Sequence, residues 1–250
     1  MIQAHTLESW CNQQLQPGNF SDDCPNGMQV EGTREIHRLA SGVTASLALL
    51  EAAVAWQADA ILVHHGYFWQ GEPQPLTAIK GRRVRTLMQH DISLFAYHLP
   101  LDAHSLYGNN AQLGRRLQLH NAAPTQDGDG LLWSAELDEP ITPGELHSRI
   151  THALQREPLH VSADKQQLGR IAWCSGAAQR YIENAAAAGA DAFISGEISE
   201  ATVHSAREGN IHYYAAGHHA TERYGVQALG EAIAAEFGIE HRYFEIDNPA

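Results

Sequence analysis

Six side chains stand where strand-like runs of the chain end: His64 and His65, His98 and Asp102, His218 and Glu222. Imidazole nitrogens mixed with carboxylate oxygens form the donor set of Zn, Fe, Mn or Co, not that of Ca, which takes oxygen alone. A carboxylate can bridge two ions, and Asp102 or Glu222 could do so. Two ions held roughly 3.5–4 Å apart clamp an attacking hydroxide, drawn from a bound water whose pKa falls to about 7, and polarise the bond under attack. His218 and Glu222 share one helical face if a helix begins near Gly217. His98 and Asp102 have the same spacing, although Pro100 argues against a regular helix there. His64 and His65 are neighbours. In an extended chain they point to opposite sides and would reach two ions, unless the strand has already turned at Gly66.

The elements that must position these groups read as alternating strands and helices. Ala60 to Val63 is an unbroken apolar run, as in a parallel strand covered on both faces. It follows a strand over 36–43 and a helix over 46–57, whose Leu47, Leu50, Ala53 and Val54 lie on one face. A basic helix over 80–90 and a strand over 92–97 lead into His98-Leu99-Pro100-Leu101-Asp102. Further on, strands over 131–137, 159–162, 170–174, 190–197 and 211–216 alternate with helices over 142–155, 179–188 and 202–208. Val226, Leu229, Ile233 and Phe237 mark a last helix, and 241–246 a closing strand. In open α/β sheets, ligands bind at the carboxyl ends of the strands.

The two halves resemble each other. Ala58-Asp59-Ala60-Ile61-Leu62 aligns with Ala190-Asp191-Ala192-Phe193-Ile194, and Ile92-Ser93-Leu94-Phe95-Ala96 with Ile211-His212-Tyr213-Tyr214-Ala215. The repeated unit is strand–helix–strand–helix–strand. The expected fold is therefore α/β: two similar, interlinked α/β subdomains with largely parallel or mixed sheets and a metal site between them. The polar, Gly- and Asp-containing stretch 121–130 is the expected boundary, giving subdomains over 1–125 and 126–250.

Composition narrows the function. A hydrophobic fraction of 44% over 250 residues supports a substantial core. The formal net charge of -13 makes a general nucleic-acid binder an unfavoured reading, while leaving room for a nucleotide held through metal ions. Cys11, Cys24 and Cys174 form neither a zinc ribbon nor an even disulfide framework, as in a reducing compartment. Met1 to Trp10 does not read as a signal peptide, and no apolar run spans a membrane, so the expected location is cytoplasmic. Asp22 and Asp23 read as turn chemistry beside Pro25 and Asn26-Gly27. Tyr67, Phe68 and Trp69 either pack on the sheet or stack on a substrate ring. Lys80, Arg82, Arg83 and Arg85 read as a solvated helix face, with a substrate phosphate as the alternative. Of the 16 histidines, His90, His104, His120, His147, His152, His160, His204 and His212 are read as surface or structural, and His219, beside His218, as lining the site or structural.

His64-His65-Gly66, His98-Leu-Pro-Leu-Asp102, Ser195-Gly196-Glu197, Gly217-His218-His-Ala-Thr-Glu222 and the loop Pro25-Asn-Gly-Met-Gln-Val-Glu-Gly32 resemble the YbgI-type, NGG-interacting-factor-three-like family over nearly the whole chain. Its members are homologues of a type 2 GTP cyclohydrolase I. The resemblance implies paired α/β domains, a dinuclear metal site and a toroidal homohexamer. It carries ligand roles onto His64, His65, Asp102, His218 and Glu222, for two divalent ions per subunit. His98 would lie beside them as a second layer of the site or a proton shuttle, with Glu197 at the matching strand end of the second half. The function so implied is a metal-dependent hydrolase of a nucleotide-like or other small polar substrate. The alternative is a metal-binding scaffold or regulatory protein.

Overall fold

A computed structural model of the chain describes residues 1–126, 128 and 130–250; of the expected boundary stretch 121–130, Asp127 and Asp129 lie outside the described residues. The first elements are α1 (Ala4–Leu15), β1 (Gly27–Val30), β2 (Arg38–Thr44), α2 (Leu47–Ala55), β3 (Ala60–His65), α3 (Ala78–Gln89) and β4 (Ser93–Ala96). Next come α4 (Leu99–Ala103), α5 (Asn109–Arg116), β5 (Ala123–Pro124), β6 (Trp133–Ile141), α6 (Pro143–Leu154) and β7 (Leu159–Val161). The chain closes with β8 (Leu168–Cys174), α7 (Ile182–Ala187), β9 (Ala192–Ser195), α8 (Glu200–Glu208), β10 (His212–Ala215), α9 (His218–Phe237) and β11 (Glu240–Tyr243). Among the described residues no helix is long and apolar enough to cross a membrane.

These elements form two compact units, Met1–Leu101 with Gly225–Asp247, and Asp102–Tyr224 with Asn248–Ala250. The division expected near residue 125 falls instead at Leu101/Asp102, and a C-terminal segment returns to the first unit. Both departures come from packing between residues distant in sequence. β11 adds to the first sheet beside β2, Glu240 against Arg38 and Tyr243 against Ser41. Phe237 meets Trp10 edge-on at 5.9 Å. Conversely, Ala111, Leu113 and Leu117 of α5 bury into the second unit's core with Trp133 and Trp173.

The first sheet has the order β1-β4-β3-β2-β11, and the second β5-β6-β8-β9-β10-β7. In each, three consecutive parallel strands form the centre: β2, β3 and β4 in one, β8, β9 and β10 in the other. An antiparallel strand flanks the last of them, β1 on β4 and β7 on β10. The sheets are mixed α/β, as expected. Ile61, Leu62 and Val63 of β3 are fully buried, each stabilising the fold by about 1.5–3 kcal/mol. Ser46 caps α2 by accepting from Leu49 N at 3.3 Å. Thr142 and Glu145 form a capping box on α6.

The aligned aspartates have matching roles. Asp59 Oδ2 accepts from His37 N and Arg38 N at 2.9 and 3.0 Å, fixing the start of β2. Asp191 Oδ2 accepts from Gly169 N and Arg170 N at 2.8 and 3.0 Å, fixing the start of β8. Arg38 then donates to Trp56 O, and Arg170 to Ala188 O, tying each strand to the end of the helix that follows it.

Candidate metal centre

In the first unit the parallel strands deliver three imidazoles. His64 and His65 end β3, and His98 follows β4. Their ring centroids lie 4.6 Å apart for His64 and His65, 5.0 Å for His64 and His98, and 5.7 Å for His65 and His98. One nitrogen of each lies within 4.8 Å of the others. The expectation that adjacent histidines diverge is corrected here: at the last residues of β3 the two rings are neighbours, tilted by 48°.

His64 is completely buried. Its Nδ1 lies 2.9 Å from the carbonyl oxygen of Tyr97. A carbonyl only accepts, so Nδ1 carries the proton and Nε2 carries the lone pair, the tautomer a metal ligand needs. Nδ1 of His65 pairs with Thr44 Oγ1 at 3.1 Å.

His98 is held differently. Asp22 Oδ1 accepts from its Nδ1 at 2.7 Å, and Asn26 Oδ1 accepts from its backbone N–H at 2.7 Å. Asp22 Oδ2 also accepts from Leu99 N at 3.0 Å and from the Asn26 amide at 2.9 Å. Burial alone would raise the Asp22 carboxyl, but the hydrogen bonds from His98 and Asn26 hold it down at about 2. Asp22 does make turn bonds, as its sequence neighbours imply, yet it also orients an imidazole 76 residues away.

The second unit gathers carboxylates. Asp102 sits on α4, a short helix despite Pro100, because a proline in the first turn gives up only an N–H that has no helical partner. Its Oδ1 accepts from Asn109 Nδ2 at 2.8 Å and from Ser175 Oγ at 3.0 Å. Asn110 Oδ1 accepts from Ser175 N at 2.9 Å and so fixes that serine in turn.

His218 and Glu222 lie in the first turns of α9, on one face as expected, with Nε2 and Oε2 3.0 Å apart. Glu197, after β9, accepts at 2.7 Å from His218 Nδ1 and stands behind that imidazole. Burial would lower the His218 pKa, but hydrogen bonds to Glu222 and Glu197 raise it to about 9. A carboxylate oxygen of Asp102 lies within 4.8 Å of one of Glu222, and both residues are buried, at 6% and 3% exposure.

Two glycines make this packing possible. Gly176 has φ +67, and a Cβ there would fall 2.1 Å from Glu222 Oε1. A Cβ on Gly196 would fall 2.7 Å from both Gly176 O and the Cα of His218.

Asp22, Asn26, Thr44, Asn109, Asn110 and Ser175 escape sequence reasoning. Each acts through a fold contact rather than a local pattern; for Asp22 the Asp-Asp-Cys-Pro-Asn-Gly turn is the available signal. The histidines read as structural include His104, whose Nδ1 accepts from Leu106 N and Tyr107 N. His212 is another, tied to Lys165 O at 2.8 Å and to His160 at 2.9 Å.

The buried His64 imidazole, backed by a carbonyl, and the two buried acids Asp102 and Glu222 are residue types that could hold a transition metal. The chain belongs to the Duf34/NIF3 (NGG1p interacting factor 3) family, whose model matches residues 2–249. It is 54% identical to the GTP cyclohydrolase 1 type 2 homolog of Allochromatium vinosum, over 100% of this chain and 98% of that one. Among solved structures it matches protein ybgI, of unknown function, with TM-score 0.95 and 44% identity over 100% of both chains. It also matches TTHA1606 from Thermus thermophilus, with TM-score 0.91 and 28% identity, again over 100% of both chains.

Proposed function

We propose that this chain is a hydrolase of the GTP cyclohydrolase 1 type 2-like kind, using two divalent ions, Zn, Fe, Mn or Co. His64, His65, Asp102, His218 and Glu222 are their ligands, and a nucleotide-like or other small polar molecule is the substrate. The observation that carries the reading is the pair of buried acids. Asp102 and Glu222, with oxygens within 4.8 Å, bring two carboxyl groups together in a dry environment. A divalent cation suits two carboxylates held so close, balancing both at once. His218, as a ligand, would join them in its neutral form through Nε2, with its Nδ1–H held by Glu197.

When bound, such ions supply a water acidic enough to ionise near neutral pH and a charge that polarises the bond under attack. The rest falls to the chain. The Tyr97 carbonyl keeps His64 Nε2 as the donor atom, and Glu197 holds the His218 ring by Nδ1. With Nδ1 of His98 committed to Asp22, Nε2 is the atom that takes or gives a proton, and the Asp22 carboxylate stabilises the imidazolium that forms.

Elemental analysis of the purified chain, paired with a hydrolysis screen over phosphoesters, nucleotides and cyclic amides, tests the proposal. About two metal equivalents are expected, lost together with turnover in His64→Ala and Glu222→Ala. No more than trace metal in the wild type overturns it. Retained metal with no turnover across the screen, and an oligomer that dissociates on chelation, would favour the structural role.

A further inference from the structure

Three consecutive aromatic residues follow β3, and the fold puts them to three uses. Tyr67 is core: it is 3% exposed and its hydroxyl donates to Ala45 O at 2.7 Å. Phe68 packs at the edge of the same core, with the Lys80 ammonium 5.8 Å from its ring centroid. Trp69 is half-buried among imidazoles, its centroid 5.0 Å from that of His98 and 6.1 Å from that of His65. It meets His98 edge-on, at 81°.

The loop that presents Trp69 is tightly determined. Gln29 clamps Tyr67 from both sides, accepting from its N–H at 2.7 Å and donating to its carbonyl at 3.1 Å. Glu72 accepts from Phe68 N at 3.0 Å, and Asp23 O accepts from Gln70 N at 2.6 Å. Phe68 is thereby held at φ 67, a left-handed conformation that a bulky side chain rarely adopts. Strain of this sort persists where the surroundings over-determine it, and it gathers at ligand clamps. Asp22 and Asp23 are adjacent, so one short segment anchors both the His98 imidazole and the Trp69 loop.

The indole N–H donates to Gly66 O at 3.2 Å. What the ring has left to offer a ligand is its π surface. A π face attracts either a cation or another flat ring. A cationic ligand is disfavoured beside imidazoles that hold divalent ions. We infer that Trp69 is the platform on which a flat heteroaromatic ring of the substrate, a nucleobase or a pterin-type bicycle, stacks beside His65 and His98. The inference rests on the metal-site reading above only in choosing a neutral or anionic ring over a cation. It narrows the substrate class from any small polar molecule to one carrying such a ring.

The test is calorimetric binding of guanosine 5′-monophosphate, adenosine 5′-monophosphate, pterin and ribose 5-phosphate to the wild type, Trp69→Phe, Trp69→Leu and Trp69→Ala, with metal content measured on each sample. The wild type should bind at least one flat-ring ligand more tightly than ribose 5-phosphate. Trp69→Ala should weaken that binding roughly 5- to 150-fold, the loss expected from deleting one base-stacking aromatic, while Trp69→Phe keeps most of it. Ribose 5-phosphate affinity and metal content should not change. If Trp69→Ala does not fold, the contrast between Phe and Leu at this position decides in the same way. Flat-ring binding that is no tighter than that of ribose 5-phosphate, or that survives loss of the aromatic ring, overturns the inference. Absence of metal in every sample would sink the metal-site reading while leaving the stacking result legible.

Discussion

Asp22 grips His98 through a 2.7 Å contact between Oδ1 and Nδ1, and the same carboxylate accepts the backbone N–H of Leu99. One acid thus sets both the imidazole's orientation and the start of the helix that carries Asp102. Asp22→Asn preserves the shape but not the acceptor strength. Turnover should fall about 10- to 100-fold, the usual cost of losing a group that orients a site histidine. Metal content should hold, since Asp22 is not among the proposed ligands. Stability should carry its own signature. The folded-state pKa, about 2, lies below the ordinary 3.8, so the charge stabilises the native state above pH 3.8 and that contribution is lost as pH falls toward 2. Chemical denaturation should therefore show the variant weaker at pH 7, with the gap closing in strong acid.

Gly176→Ala should damage the carboxylate cluster without replacing a proposed ligand. The methyl would fall 2.1 Å from Glu222 Oε1, at a backbone φ of +67. The backbone strain alone is worth about 1–3 kcal/mol. Glu222 must also swing away, so metal content should drop along with the denaturation midpoint. Full metal occupancy in this variant would count against Glu222 as a ligand.

The repeated aspartates offer a paired test. Asp59→Ala and Asp191→Ala each strand two backbone N–H groups at the start of a central parallel strand. Each should cost about 2 kcal/mol, because hydrogen bonds to a charged acceptor are the stronger kind. Similar penalties, read from urea midpoints, are expected. A large effect at one and none at the other would show that the alignment of the halves does not extend to their energetics.

Acid sensitivity should come partly from His241. Burial pushes its pKa down to about 4 from the ordinary 6.5, and its Nε2 lies 2.8 Å from Ser41 Oγ. The native state therefore binds fewer protons than the unfolded chain. Its contribution is complete above pH 6.5 and is lost as pH falls toward 4, with a slope of at most about 1.4 kcal/mol per pH unit. His160 works in the same direction: burial, then the neighbouring His212 and His147, bring it to about 4. Melting temperatures between pH 7 and 4 should decline less steeply in His241→Gln. An unchanged slope would show that His241 does not titrate in this window.

The positions of the proposed ligands are legible because they obey local rules. The apolar run of β3 stops at His64, and His218 and Glu222 sit one turn apart on α9. What stays hidden depends on contacts that spacing does not encode. The grip of Asp22 on His98 spans 76 residues, and the pairing of β11 with β2 spans some 200. The polar stretch near residue 125 looks like a boundary on composition, yet Leu113 and Leu117 have already joined the second core. Pro100 reads as a helix breaker only when its place in the first turn is overlooked. The divergence expected of His64 and His65 assumes an ideal strand up to its last residue.

The placement of β11 also bears on how the polypeptide is made. Its partner β2 leaves the ribosome some two hundred residues earlier. Until the final strand emerges, the open edge of the sheet is β2, seven residues long and buried at five of them; once paired, the edge passes to the shorter, charged β11 with Glu240 and Arg242, a poorer template for stray strands. Synthesis in this order favours helpers that shield nascent chains, and premature termination just before Glu240 would yield a product prone to clump rather than one merely short of a tail.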